Sequence, residues 1–256
     1  MGNSAYTETL ELAGRIIMEN GGETYRVEET ITRMGCALGL EHVESFAVPS
    51  GVFISFRRDG QSESAIIRVR RKGTNLSRVD QVNQVSRCVE SGEMDVEAAL
   101  MQLRAIECAA PPLGVVPVAA LAGVSSGAFA VMFGGGAVDC CVSFVVAAVV
   151  HLLSAWLKKQ RITGFMLTMI GGFFTALMPM VFHGLTAVGS PFAMIAGALM
   201  PLVPGMALTL GIRDLIDSDF LSGVIRMLDA LLTAACIAMG AGLVLAVANL
   251  IEGVTL

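Results

Sequence analysis

The chain has 256 residues, 54% hydrophobic and 15% charged, with a mean hydropathy of +0.71; that balance lies far outside soluble averages and argues against a wholly soluble protein. Its net charge of −5 argues against a nucleic-acid binder, because neutralising phosphates takes a surplus of Lys and Arg on one face. Residues 1–110 hold 12 of the 17 Lys and Arg and 16 of the 22 Asp and Glu. The expected fold is therefore a membrane α-helical bundle over 111–256 with an N-terminal α+β soluble domain over 1–110, joined near Pro111-Pro112.

In the first part, apolar residues recur at helical spacing over 4–20 and 24–38, separated by the helix stop Gly21-Gly22. Segments 42–48, 52–57 and 64–70 alternate or run β-branched and aromatic, and Arg58-Asp59-Gly60-Gln61 reads as a hairpin turn. Helical period returns over 76–89 and 96–108, with a break at Ser91-Gly92. The order is ααβββαα. The polar start, with Glu8 and Glu11 and no apolar core, predicts no cleavable signal peptide. Arg68, Arg70, Arg71 and Lys72 form a basic run that reads as a solvated strand end rather than a lipid or anion site.

Reactive chemistry is sparse. His42, Ser45 and Ser50 occur among many acids, but no Gly-x-Ser-x-Gly elbow is present, so an enzyme is not expected. Gly21-Gly22-Glu23 lacks the preceding strand and the Lys that a phosphate loop needs. Cys36, Cys88, Cys108, Cys140, Cys141 and Cys236 show no metal-ligand spacing. No disulfide framework, metal or cofactor is expected.

Five runs of roughly membrane-spanning length follow, at about 113–133, 137–157, 164–182, 191–210 and 224–250. Lys158, Lys159 and Arg161 follow the second run, and Arg213 and Arg226 flank the segment after the fourth. The loops 134–136 and 184–190 and the tail 252–256 contain no Lys or Arg. By the positive-inside rule the basic loops and the soluble domain face the cytoplasm, and the C-terminus lies outside. Small residues such as Gly123, Gly127, Gly171, Gly172 and Gly240 suit close helix packing.

The fourth run is different, because Pro201 and Pro204-Gly205 interrupt it and free backbone polar groups in mid-membrane. Broken helices of this kind hold substrates in transporters, so Pro201, Pro204, Gly205 and Thr209 are candidate substrate-binding residues, weighed against a plain kink. Arg213, Asp214, Asp217, Asp219, Arg226 and Asp229 cluster at the predicted cytoplasmic ends. Arg213 and Asp214 join the candidates. Asp229, a turn inside the fifth span, reads equally as a substrate or coupling carboxylate or as a partner of Arg226 three residues before it. Asp139 reads first as a helix-start carboxylate and second as an ion-coupling group. His151 is a candidate proton relay, set against a hydrogen-bonded bundle histidine; His183 is a weaker candidate.

Two strings carry a resemblance: Gly21-Gly22-Glu23-Thr24-Tyr25-Arg26-Val27-Glu28-Glu29-Thr30, and Leu202-Val203-Pro204-Gly205 followed by Ile212-Arg213-Asp214-Leu215-Ile216. With the ααβββαα head and five spans, the chain resembles the threonine/serine exporter family in its short, split form. The resemblance implies an ion-gradient-driven exporter of small organic or amino acids in the cytoplasmic membrane. It also marks Glu23, Tyr25, Arg26, Glu28 and Glu29 as a motif of the soluble domain. Long members carry about ten spans, so a second small membrane subunit is an implied partner, and a homo-oligomer remains open.

For the substrate, a half-helix end at Pro204-Gly205 would suit a carboxylate and Asp229 an ammonium. Arg213 and Arg226 stand against four nearby aspartates, which tilts the expectation to threonine or serine, with a dicarboxylate of the succinate type as the alternative. A membrane-anchored sensory or hydrolytic module is a third reading. Against it stand the five spans, where one would anchor.

Overall fold

The computed structural model describes residues 2–69, 73–160 and 162–252. Arg70, Arg71 and Lys72 of the basic run, Arg161, and tail residues 253–256 lie outside the described residues. The chain forms two units: Met1–Ala110 with Thr209–Arg226, and Pro111–Leu208 with Met227–Leu256.

In the first unit, α1 (Gly2–Glu19) and α2 (Thr24–Ala37) are separated at Gly21, whose φ of +84° is a left-handed conformation that Gly adopts without a Cβ penalty. Strands β1 (Glu41–Val48), β2 (Gly51–Arg58) and β3 (Gln61–Arg68) form an antiparallel sheet in the order β1-β2-β3. Asp59 and Gly60 both take positive φ, 49° and 77°, the pattern of a two-residue type I′ hairpin whose twist matches the strands. Arg58 therefore pairs directly with Gln61, and β3 starts three residues before the predicted strand. Val52, Ile54 and Phe56 are buried on one face of β2 while Phe53 is exposed, the period of two expected of a half-covered sheet.

Helices α3 (Leu76–Glu90) and α4 (Val96–Cys108) complete the unit. Each starts on a side-chain cap: Asn75 accepts from the Arg78 N–H, and Asp95 accepts from the Ala98 N–H at 2.8 Å. Leu10, Ile17, Ile31, Phe56, Val82 and Leu103 form a single core with their neighbours. Burial of aliphatic and aromatic side chains at about 25 cal/mol per Å² is its main stabilising term.

The second unit contains α5 (Val115–Met132), α6 (Ala137–Lys159), α7 (Gly164–Thr186) and α8 (Pro191–Leu199), which tightens into a 3-10 turn over Met200–Leu202. Beyond the break lies α9 (Gly205–Ile216), followed by α10 (Phe220–Glu252). Among the described residues, α5, α6, α7 and α10 are long and apolar enough to cross a membrane; α8 and α9 add a fifth span if the bent pair is one. α10 begins four residues earlier than its hydropathy suggests.

Helix packing in this unit rests on missing side chains and on hydroxyls. A Cβ at Gly172 would stand 2.6 Å from the Ile237 carbonyl oxygen, and one at Gly240 would overlap the Met169 carbonyl, so α7 and α10 meet backbone to backbone. Ser126 on α5 donates to the Gly197 carbonyl at 2.7 Å, and Ser143 on α6 donates to the Met194 carbonyl at 3.0 Å. Both serines are fully buried.

Proline acts differently in two helices. α7 continues through the buried Pro179. At the end of α8, Pro201 and Pro204 lie three residues apart, and Val203 takes extended angles of φ −63° and ψ 128°. A residue before proline is pushed out of the helical region by the ring, so the helix ends there and α9 restarts at 58° to α8.

Candidate functional site

A cavity of about 540 Å³ opens in the second unit at the end of the bundle where α5 begins, α6 ends and α7 begins. His151, Ser154 and Lys158 line it from α6, Thr168 from α7, and Pro201 and Leu202 from the broken element. The positions 151, 154 and 158 follow the helical repeat, which puts all three polar groups on one stripe of an otherwise apolar helix. Thr168 Oγ1 donates to the Gly164 carbonyl at 2.9 Å. No carboxylate is among the described lining residues, so its ionisable groups are one ammonium and one imidazole. That arrangement attracts anions.

Of the residues singled out in the sequence, His151 and Pro201 are brought together here. Lys158, Ser154 and Thr168 went unrecognised as site residues; Lys158 served only to set topology. The i, i+3, i+7 spacing of His151, Ser154 and Lys158 was the signal that could have found Ser154 and Lys158; Thr168, on another helix, had none.

A second constellation lies in the first unit and joins the start of α2 to residues 209–226. Asp214, 3% exposed, sits 2.9 Å from Arg226 Nε and accepts from the Thr24 hydroxyl at 3.4 Å. Arg226, whose side chain is 12% exposed, also donates to the Gly22 carbonyl at 3.0 Å. Arg213 pairs with Glu23 and donates to the Tyr25 hydroxyl at 3.0 Å, with its guanidinium 5.2 Å from that ring's centroid. Arg26 reaches the other oxygen of Glu23 at 2.5 Å. The two strings quoted above thus meet in one network, in which Asp214 pairs with Arg226 and Glu23 is shared by Arg213 and Arg26.

Glu28 lies at the edge of this network. It accepts from the Ala47 N–H at 2.8 Å, and burial pushes its carboxyl above the usual carboxylate range, with the nearby Asp219 charge adding to the effect. Glu29 pairs with Arg33 one turn along α2.

The remaining candidates are elsewhere. Asp139, 4% exposed, accepts from the Gly136 N–H at 2.7 Å and the Ser190 N–H at 2.8 Å, so it ties the start of α6 to the start of α8. Gly189, with φ +79°, has no room for a Cβ because the Asp139 carboxylate fills that place. Pro204 and Gly205 form the break itself, Thr209 stands on α9, and Asp229 is half-buried on α10, where its carbonyl accepts from the Thr233 hydroxyl at 2.8 Å. His183 Nδ1 is 3.3 Å from the Val188 carbonyl oxygen. Arg213, Asp214 and Asp229 are not among the residues lining the cavity, and the Arg226 guanidinium is engaged by Asp214.

Comparison with known proteins gives consistent matches. The family described as "Putative threonine/serine exporter" (ThrE) matches residues 8–248. The chain is 23% identical over 230 residues to the "Probable succinate transporter subunit YjjP" of Escherichia coli, covering 87% of this chain and 86% of that protein. It is 24% identical over 238 residues to the "Threonine/serine exporter" of Corynebacterium glutamicum, covering 90% of this chain but 48% of that protein. No solved structure matches.

Proposed function

The chain belongs to the threonine/serine exporter family, and from that premise we propose that it is one subunit of an ion-gradient-driven exporter of small dicarboxylates in the cytoplasmic membrane. The family is one of membrane transporters, not enzymes. The observation that carries the substrate reading is the charge of the cavity: Lys158 and His151 line it with no carboxylate beside them. A dicarboxylate brings one negative end to the Lys158 ammonium and a second that the imidazole and hydroxyls of the lining can hydrogen-bond. A zwitterionic amino acid would bring an ammonium with no acid there to receive it.

This reverses the sequence-based tilt toward threonine and serine. That tilt rested on Arg213, Arg226 and the nearby aspartates acting on a substrate, whereas Asp214 and Glu23 already neutralise both arginines. Threonine or serine stays as the second reading, favoured by the name of the Corynebacterium relative. A second small membrane subunit is the expected partner, supported by the word "subunit" in the name of the Escherichia coli relative. The first unit is proposed to be a soluble domain facing the cytoplasm, on the strength of Lys158 and Lys159 at the end of α6.

Efflux of labelled succinate, threonine and serine from cells expressing this chain, with and without a second family subunit, tests the reading. Succinate efflux that requires both polypeptides is the expected result. Threonine or serine efflux without succinate efflux would overturn the substrate, and full efflux by this chain alone would overturn the partner.

A further inference from the structure

A groove of about 280 Å³ between α2 and α3 in the first unit is used by none of the roles above. Arg26, Thr30 and Arg33 line it from α2 at one-turn spacing, and Asn83 and Arg87 line it from α3. Glu29 is the single carboxylate of the lining. Two of the three guanidiniums are already engaged, Arg26 by Glu23, and Arg33 by Glu29 and more distantly by Glu90 at 3.7 Å. Arg87 donates its Nε to the Asn83 carbonyl at 3.3 Å and has no carboxylate partner among the described residues. Thr30, 5% exposed as a residue, lines the groove, and its hydroxyl has no hydrogen-bond partner among the described residues.

We infer that this groove binds a small multivalent oxyanion, held by Arg87 and Arg33 in charge-assisted hydrogen bonds and by the Thr30 hydroxyl. Planar guanidinium forks suit phosphate and carboxylate oxygens, and the space falls just below the ~300–1,000 Å³ of drug-sized ligand pockets. It suits inorganic phosphate or a four-carbon dicarboxylate, not a nucleotide. Arg26 is shared with the Glu23–Arg213 network, so an anion in the groove competes with Glu23 for Arg26 and thereby acts on the contact that holds Arg213. The groove is thus an effector site, separate from the cavity lined by Lys158.

Calorimetric titration of the purified full chain in nanodiscs, with inorganic phosphate and with succinate as separate probes, tests this. Expected is saturable binding of at least one probe in a Lys158→Gln background, which removes the cavity's contribution, weakened about tenfold when Arg87→Gln or Thr30→Val is added, with the ligand-free melting temperature of each variant unaltered. Binding of phosphate alone assigns a phosphoryl source, and binding of succinate alone a carboxylate source. The inference is overturned if neither probe binds saturably in the Lys158→Gln background, or if binding there persists undiminished when either groove substitution is added. Should Arg87→Gln fail to fold, Thr30→Val carries the same test without removing a charge.

Discussion

In the first unit, polar and charged side chains join segments 190 residues apart in sequence, as in the Thr24–Asp214 hydrogen bond and the Glu23–Arg213 ion pair. The second unit holds its helices together with almost no charge, through glycines that admit a neighbouring backbone and serines that donate to carbonyls. The contrast fits the proposed placement of the first unit in water and the second in a bilayer. Where water is near, an exposed ion pair such as Arg104 with Glu8 costs little to keep. In a bilayer a charge is expensive, so close van der Waals approach and short hydrogen bonds take over. Lys158 and His151 depart from that pattern, and both line a cavity.

The contrast can be broken most severely at Gly240. Replacing it with Leu drives a side chain into the Met169 carbonyl, and the expected cost of about 4 kcal/mol or more should abolish the monodisperse gel-filtration peak of the full chain. Next is Asp214→Ala, which leaves Arg226 buried without its partner. A loss of about 3 kcal/mol is expected in thermal unfolding, most of it recovered in the double variant Asp214→Ala with Arg226→Leu. If the single variant is neutral, the first unit is not held by matched charge.

Effects on transport and packing are smaller. Lys158→Gln should lower succinate efflux about tenfold, equivalent to one lost charge-assisted contact, with membrane insertion unchanged by fractionation. Ser143→Ala removes one interhelical hydrogen bond and should cost about 0.6 kcal/mol in the same unfolding assay. A cost several times larger would show that hydroxyls, not glycines, dominate the second unit.

The pH response of Glu28 sharpens the comparison at the weak end. Its carboxyl is raised in the folded state, so the folded chain binds more protons than the unfolded one just above the usual carboxylate range. Stability from this group is complete below the unfolded value and declines as pH rises through the folded one. Glu28→Gln keeps an oxygen to accept from the Ala47 N–H while losing the titration. Its melting temperature should be flatter across that window and slightly higher at neutral pH.

Much of the fold was legible because local rules were strong. Asp59-Gly60 specified the hairpin, Pro204 forced Val203 into extended geometry, and uninterrupted apolar length marked α5, α6, α7 and α10 as spans. The site was legible only in fragments. His151 and Pro201 stood out one at a time as a lone histidine and a helix breaker, and nothing in their spacing of 50 residues said that they share a cavity. Arg226 was weighed as a partner for Asp229, three residues away on the same helix. It makes an ion pair with Asp214, on the helix before it.

Sequence by itself determined the division into a charge-rich part and an apolar part, the order of helices and strands, and the family, because composition, periodicity and proline act over a few residues. Tertiary structure alone decided which charges neutralise one another and which are left facing a cavity. Coulomb energy and desolvation depend on distance in space, and chain separation carries almost no information about that distance.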